Sequence, residues 1–121
     1  MPSYDVNVKL RFEHPLAETI RSAKQSAESM KAKTLTDDQE NNRLVLQFDK
    51  KLYGKYLGDR SRFEIEFEAE ESGSTLLKIL AYPVNPIGQK LMFGARKGVV
   101  RAILEALYAE MIKRLEPEQT G

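Results

Sequence analysis

Residues 62–82 read Arg62-Phe63-Glu64-Ile65-Glu66-Phe67-Glu68-Ala69-Glu70-Glu71-Ser72-Gly73-Ser74-Thr75-Leu76-Leu77-Lys78-Ile79-Leu80-Ala81-Tyr82. Phe63, Ile65, Phe67 and Ala69 alternate with Glu64, Glu66, Glu68 and Glu70. That period of two places apolar side chains on one face of a strand and carboxylates on the other. Glu71-Ser72-Gly73-Ser74 supplies a tight turn. Thr75 to Tyr82 then reads as a second strand, with Leu77, Ile79 and Ala81 on one side and Leu76, Leu80 and Tyr82 on the other. A strand apolar on both sides is central, or is covered on part of its second face. An antiparallel sheet therefore forms the middle of the fold.

Upstream of it, Arg43 to Asp49 alternates again, with Leu44, Leu46 and Phe48 on one side. A weaker strand at Lys33 to Thr36 and turn-forming residues from Asp37 to Asn42 complete a hairpin. Lys50 to Ser61 reads as strand continuation that ends in a turn at Gly58-Asp59. Nearer the N-terminus, Tyr4, Val6, Val8, Leu10 and Phe12 share one side of a strand that His14-Pro15 ends, because proline cannot continue a ladder but fits the first turn of a helix. Leu16, Ile20, Ala23, Ala27 and Met30 then share one narrow helical face. Downstream, Pro83 to Gly88 is a loop, since each proline biases the residue before it away from the helical region. A long helix is expected from about Gln89 to Leu115, stopping before Pro117. The sequence thus predicts an α+β fold: an antiparallel sheet of about five strands with a long C-terminal helix and a shorter N-terminal helix on one face, in the order β-α-β-β-β-β-α.

Composition sets limits on this object. At 121 residues it fits a single domain, 1–121, with its core at about 4–115 and a short flexible tail at 116–121. With 41% hydrophobic and 31% charged residues and a mean hydropathy of −0.48, it reads as a soluble globular chain, neither disordered nor membrane-spanning. The N-terminus enters a strand pattern at once, without the basic and apolar regions of a signal peptide, so a cytoplasmic location is expected. Zero cysteines exclude disulfides, thiolate catalysis and Cys-ligated metal, and a single histidine makes a histidine-rich metal site implausible. No cofactor is expected. Nineteen bases against eighteen acids give a net charge of +1, which offers no global reason to seek nucleic acid or an anionic membrane.

The run Phe63 to Leu77, followed by a proline-containing loop and a long C-terminal helix rich in Arg and Leu, resembles the end of START-like, or birch-pollen-allergen-like, helix-grip domains. The resemblance covers residues 43 to 115. A full helix-grip domain has more strands and a larger cavity, so this chain looks like a minimal version, similar in topology to one repeat of the TATA-binding-protein-like fold and to small bacterial domains of this shape. The resemblance implies a binding or interaction module, with no fixed catalytic residues to carry over.

Four features could carry chemistry. The glutamates of residues 64–70 could offer a cation site, or could simply pair with Lys78, Lys9 or Arg11 on neighbouring strands, which cross-strand geometry favours. A basic stretch, Lys90, Arg96, Lys97 and Arg101, could form a phosphate or anionic-lipid patch, although Lys90, Lys97 and Arg101 also suit the solvent side of an amphipathic helix. The expected C-terminal helix carries two apolar stripes where a sheet needs one: Met92, Val99, Ile103 and Ala106, and beside it Phe93, Val100, Leu104, Leu107, Met111 and Leu115. The second stripe calls for the first helix, an apolar ligand or a second subunit as partner. His14 precedes a proline and has no nucleophile motif to serve, so it reads as a helix-entry residue.

The first functional reading is a non-enzymatic module that holds a small apolar or amphipathic molecule between the long helix and the sheet. Tyr82, Leu91, Arg96, Val100, Ile103 and Leu107 would line that site, with Arg96 as an anion anchor at its mouth. The alternative is a protein-interaction or homodimer-forming domain using the same apolar helix face or a sheet edge. No catalytic motif argues for an enzyme. A sheet face lined by Glu64, Glu66, Glu68 and Glu70 disfavours nucleic acid, and charges in every apolar stretch disfavour a membrane span.

Overall fold

The computed structural model describes residues 5–91, 94–96 and 98–116. Its elements in chain order are β1 (Val6–Phe12), α1 (Leu16–Ser29), β2 (Lys33–Asp38), β3 (Arg43–Phe48), β4 (Lys51–Leu52), β5 (Lys55–Tyr56), β6 (Arg60–Ala69), β7 (Thr75–Val84) and α2 (Val99–Leu115). Five strands form one antiparallel sheet in the order β1-β7-β6-β3-β2. The strand apolar on both sides, β7, is interior to the sheet, between β1 and β6. Since β1 and β2 are the two edges, α1 crosses the inner face to connect them.

Register aligns the inward-facing residues strand by strand. Val8 lies opposite Ile79, Ile79 opposite Ile65, and Leu46 opposite Phe63. Leu44, Leu46, Phe63, Ile65, Leu77 and Ile79 are each at most 1% exposed. Phe48 and Phe63 meet edge to face with ring centroids 5.0 Å apart. Onto this surface α2 lays Val100, Ile103, Leu107 and Met111, and α1 adds Ala23, Ala27 and Met30 to the same apolar cluster. The helices also pack against each other. The side of α1 that is buried carries Thr19, Ser22, Ala23, Ser26 and Ala27, and such small side chains let two helix backbones approach closely. Of the second apolar stripe of the C-terminal helix, Val100, Leu104, Leu107 and Met111 are therefore covered within the chain, in the cluster they share with α1 and the sheet.

Proline enters α1 as expected. Pro15 occupies the N-cap position, and its carbonyl accepts bonds from the Thr19 amide (3.0 Å) and the Thr19 hydroxyl (2.9 Å). The helix closes at Lys31, whose φ of 60° is left-handed, with the Ala32 amide bonded back to the Ala27 carbonyl at 2.8 Å.

The strand β7 runs on through Pro83 and Val84, paired with Ser61 and Arg60, so the expected loop begins two residues later than Pro83, and two further segments differ from the sequence expectation. Lys50 to Ser61 does not extend a single strand but folds into the two-stranded β4–β5 hairpin. Tyr53 and Gly54 at its turn have φ of 52° and 80°, the pair of left-handed residues that suits a two-residue hairpin. The C-terminal helix begins at Val99, ten residues later than Gln89. Gly98 has φ of 87°, and a right-handed helix cannot run back through a left-handed residue. Upstream of it the chain is held otherwise: Lys90 bridges to Val84, and the Leu91 amide donates to the Pro83 carbonyl at 2.9 Å. Leu91 and Arg96 accordingly precede the helix on which they were expected. Met92, Phe93, Lys97 and most of the C-terminal tail lie outside the described residues.

Candidate functional site

The six residues expected to line a ligand site lie in three separate places. Val100, Ile103 and Leu107 are 6%, 0% and 1% exposed and pack within the core. Tyr82 sits on the other face of the sheet, because Ala81 and Pro83 take the inward positions of β7. Its hydroxyl donates to Glu64 at 2.7 Å, and burial first, then this bond, raises its pKa. Leu91 is half-buried beside the end of β7, and Arg96 is exposed. The Arg96 amide donates to the Asp59 carboxylate, and its side chain lies across Gly58. The sheet thus separates Tyr82 from the helix residues.

A concave site exists elsewhere, at the opposite end of the sheet. Ala17, Ile20, Arg21 and Lys24 are spaced three and four apart and share one face of the first half of α1. Facing them is the turn between β2 and β3, whose shape is fixed locally. The Asp38 carboxylate accepts the Asn41 amide (3.2 Å) and the Asn41 side-chain NH2 (2.7 Å), and Asn42 takes a left-handed φ of 51°. The Asn42 carbonyl is anchored in turn by the Phe67 amide at 2.9 Å. Between helix and turn lies an open groove of about 360 Å³, with Ile20, Leu44 and Phe67 among its apolar walls.

Charge surrounds those apolar walls. Lys24 of α1 and Asp37 of β2 form an ion pair of 2.8 Å, which ties helix to strand at the rim. Arg43 pairs with Glu64 at 2.8 Å. The Asn41 side chain, more than any cation, holds the Asp38 pKa below the usual carboxylate range. Arg21 also lines a second, more polar cleft of about 340 Å³ on the adjoining flank of α1, with Glu18, Gln25 and Arg114. No residue of this groove stood out in the sequence. Ile20 read as part of a core stripe, because the groove is created by a turn that lies some twenty residues away along the chain.

The other sequence candidates resolve into structure. Three of the four outward glutamates are paired: Glu70 accepts from Nε and Nη2 of Arg11 at 2.8 and 2.9 Å, and Glu68 meets Lys78 at 3.3 Å. With Glu64 joined to Arg43 and Tyr82, this surface is a cross-strand ion-pair lattice. Among the described residues no group of three or more His, Asp or Glu side chains is placed to hold a metal ion. The basic stripe of Lys90, Lys97 and Arg101 is overturned by the later helix start. Lys90 instead pairs with Asp5 at 2.6 Å and lies 5.0 Å from the Tyr82 ring centre. His14 acts through its carbonyl, which accepts the Thr75 hydroxyl at 2.8 Å and so ties the start of α1 to β7. No helix among the described residues is long and apolar enough to cross a membrane.

No protein-family model matches the chain, and no curated protein does. Solved structures do share its fold. Ara h 8.0201 superposes with a TM-score of 0.63 at 10% identity, covering 94% of this chain and 99% of that one. CalU16 from Micromonospora echinospora gives 0.59 at 12% identity, over 96% of this chain and 76% of that one. The adenylate sensor of AMP-activated protein kinase, solved with a ribotide, gives 0.59 at 11% identity over 85% and 94%. At such identities the likeness shows the α+β fold and carries no site residue across.

Proposed function

We propose that the protein is a non-enzymatic binding module for a small apolar or amphipathic molecule, held in the groove between α1 and the β2–β3 turn. The observation that carries this reading is the groove itself. Its volume, about 360 Å³, lies in the range of small-molecule sites, which run from about 300 to 1,000 Å³, and it combines apolar walls with a few polar groups. In this reading Val100, Ile103 and Leu107 support the site from the core instead of touching the ligand. Tyr82, Leu91 and Arg96 take no part. Self-association through a sheet edge has less support. The edge strand β2 is short and irregular, with a register shift between Thr34 and Thr36, and it carries Lys33, Asp37 and Asp38, all features that discourage edge pairing.

The test is a titration with 1-octanol, followed by backbone amide NMR. Shifts confined to Ala17–Lys24, Asp37–Leu44 and the neighbourhood of Phe67 are expected. Ala17 is exposed on the groove face of α1, so Ala17→Trp should fill the groove and remove those shifts without unfolding the chain. Shifts clustered around Ile103 and Leu107 instead, or shifts that survive Ala17→Trp, would remove the groove as the site.

A further inference from the structure

Resting on that reading, we infer that the groove selects a molecule with an anionic head, a carboxylate or a phosphate, and that Arg21 is the group that takes it. What points to Arg21 is which charged groups around the groove already have partners. Lys24 is neutralised by Asp37 and Arg43 by Glu64, while Asp38 keeps its negative charge and accepts hydrogen bonds from Asn41 with both oxygens. Arg21 alone of these lining charges has no carboxylate or hydrogen-bond acceptor among the described residues. Glu18, one turn earlier on α1, shares the neighbouring cleft with it but forms no ion pair with it, and Arg114 across that cleft is engaged by Glu110. Arg21 is therefore the one cation of the groove without a counter-ion or acceptor among the described residues, and it stands beside an apolar surface. A cationic head would meet the Arg21 charge, and the one carboxylate of the groove without a cation, Asp38, already has both oxygens engaged by Asn41.

Geometry and size narrow the ligand further. A guanidinium presents its donors as a planar fork that fits two oxygens of a carboxylate or phosphate at once. Arg21 lines the same groove as the apolar Ile20, Leu44 and Phe67, so the head and the tail of an amphipathic acid both have places in it. About 360 Å³ is at the small end of ligand sites, which suits one short chain or one ring system and not a diacyl lipid. The Lys24–Asp37 pair at the rim is about one third exposed on each side, and ion pairs of that kind are weak. It can yield as a ligand enters without unfolding either element.

The experiment compares three probes of equal tail length, octanoate, octyl phosphate and 1-octanol, below their micelle concentrations, on the full chain and on Arg21→Gln. Octanoate and octyl phosphate should bind about tenfold more tightly than 1-octanol, the effect of a charge-assisted hydrogen-bonded pair. Arg21→Gln should erase that preference and leave 1-octanol unchanged, while Arg21→Lys should restore part of it. The ratio of octanoate to octyl phosphate reports which acid is preferred. If 1-octanol binds in the groove as tightly as the two acids, or if Arg21→Gln keeps the preference, the anion site is wrong and the binding module stands. If none of the three moves the groove amides, both readings fall together.

Discussion

Glu110 illustrates how much one side chain can organise. Only 12% exposed, it accepts the Arg114 guanidinium at 2.6 Å and the Tyr53 hydroxyl at 2.8 Å, with the Lys113 ammonium 3.6 Å away. Arg114 first, and Tyr53 second, hold its pKa below the usual carboxylate value. A folded pKa below the unfolded one means that the ionised form stabilises the fold at neutral pH. That contribution is present above the unfolded pKa of about 4.3 and is lost as the pH falls through the lower folded value. Glu110→Gln should therefore cost on the order of 1 kcal/mol at pH 7. The gap from the unaltered protein should close below about pH 4. Urea unfolding at pH 7 and pH 3.5 checks this, and a gap of equal size at both would assign the loss to shape and not to charge. At this scale the sequence is least legible. Neither Glu110 nor Arg21 differs locally from any other charged residue on the solvent side of a helix, and what each faces is decided by the β4–β5 hairpin and the β2–β3 turn respectively.

Elements are more legible, wherever a local period coincides with a buried face. The alternation in residues 6–12, 43–48 and 60–69 announces three of the five sheet strands, because each has one face turned to the core and a one-residue slip would reverse it, and β7 is announced by being apolar on both sides. β2 is read with more difficulty, as an exposed edge strand has no such pattern. The stretch 89–98 misleads for the opposite reason: apolar residues at helical spacing there suggest an early helix, and backbone geometry at Gly98 decides otherwise. Gly58 has a comparable role at the foot of the β4–β5 hairpin. Its φ is 108°, its amide donates to the Lys50 carbonyl at 3.3 Å, and a Cβ there would overlap the Arg96 side chain. Gly58→Ala should thus destabilise the protein by roughly 1–3 kcal/mol through strain and displacement. Chemical denaturation measures the loss, and amide shifts at Asp59 and Arg96 should accompany it. An unchanged midpoint would mean that the Arg96 side chain moves aside at no cost and that the backbone relaxes.

On the scale of the molecule, the apolar surplus of the C-terminal helix finds its partner inside the chain, and the helix–sheet layer that could have held a ligand is filled by Val100, Ile103, Leu107 and Met111. Leu107, 1% exposed at the centre of that layer, should cost about 2–5 kcal/mol when cut to alanine, a large share of the 5–15 kcal/mol that keeps a domain folded. Thermal unfolding should show it as a marked fall in midpoint within one cooperative transition. The face of α1 that packs in the interior predicts the reverse sign at another buried position. Ser26 is 0% exposed and its hydroxyl has no hydrogen-bond partner among the described residues, whereas the Ser22 hydroxyl, one turn earlier, donates to the Thr19 carbonyl at 2.7 Å. A buried hydroxyl left unpaired is penalised by lost hydration, and alanine is the better helix former. Ser26→Ala should therefore raise stability by about 0.5–1 kcal/mol, and Ser22→Ala, which removes a satisfied bond, should gain less. If the two substitutions shift the denaturation midpoint equally, helix propensity alone accounts for both and the unpaired hydroxyl at the α1 interface carries no penalty.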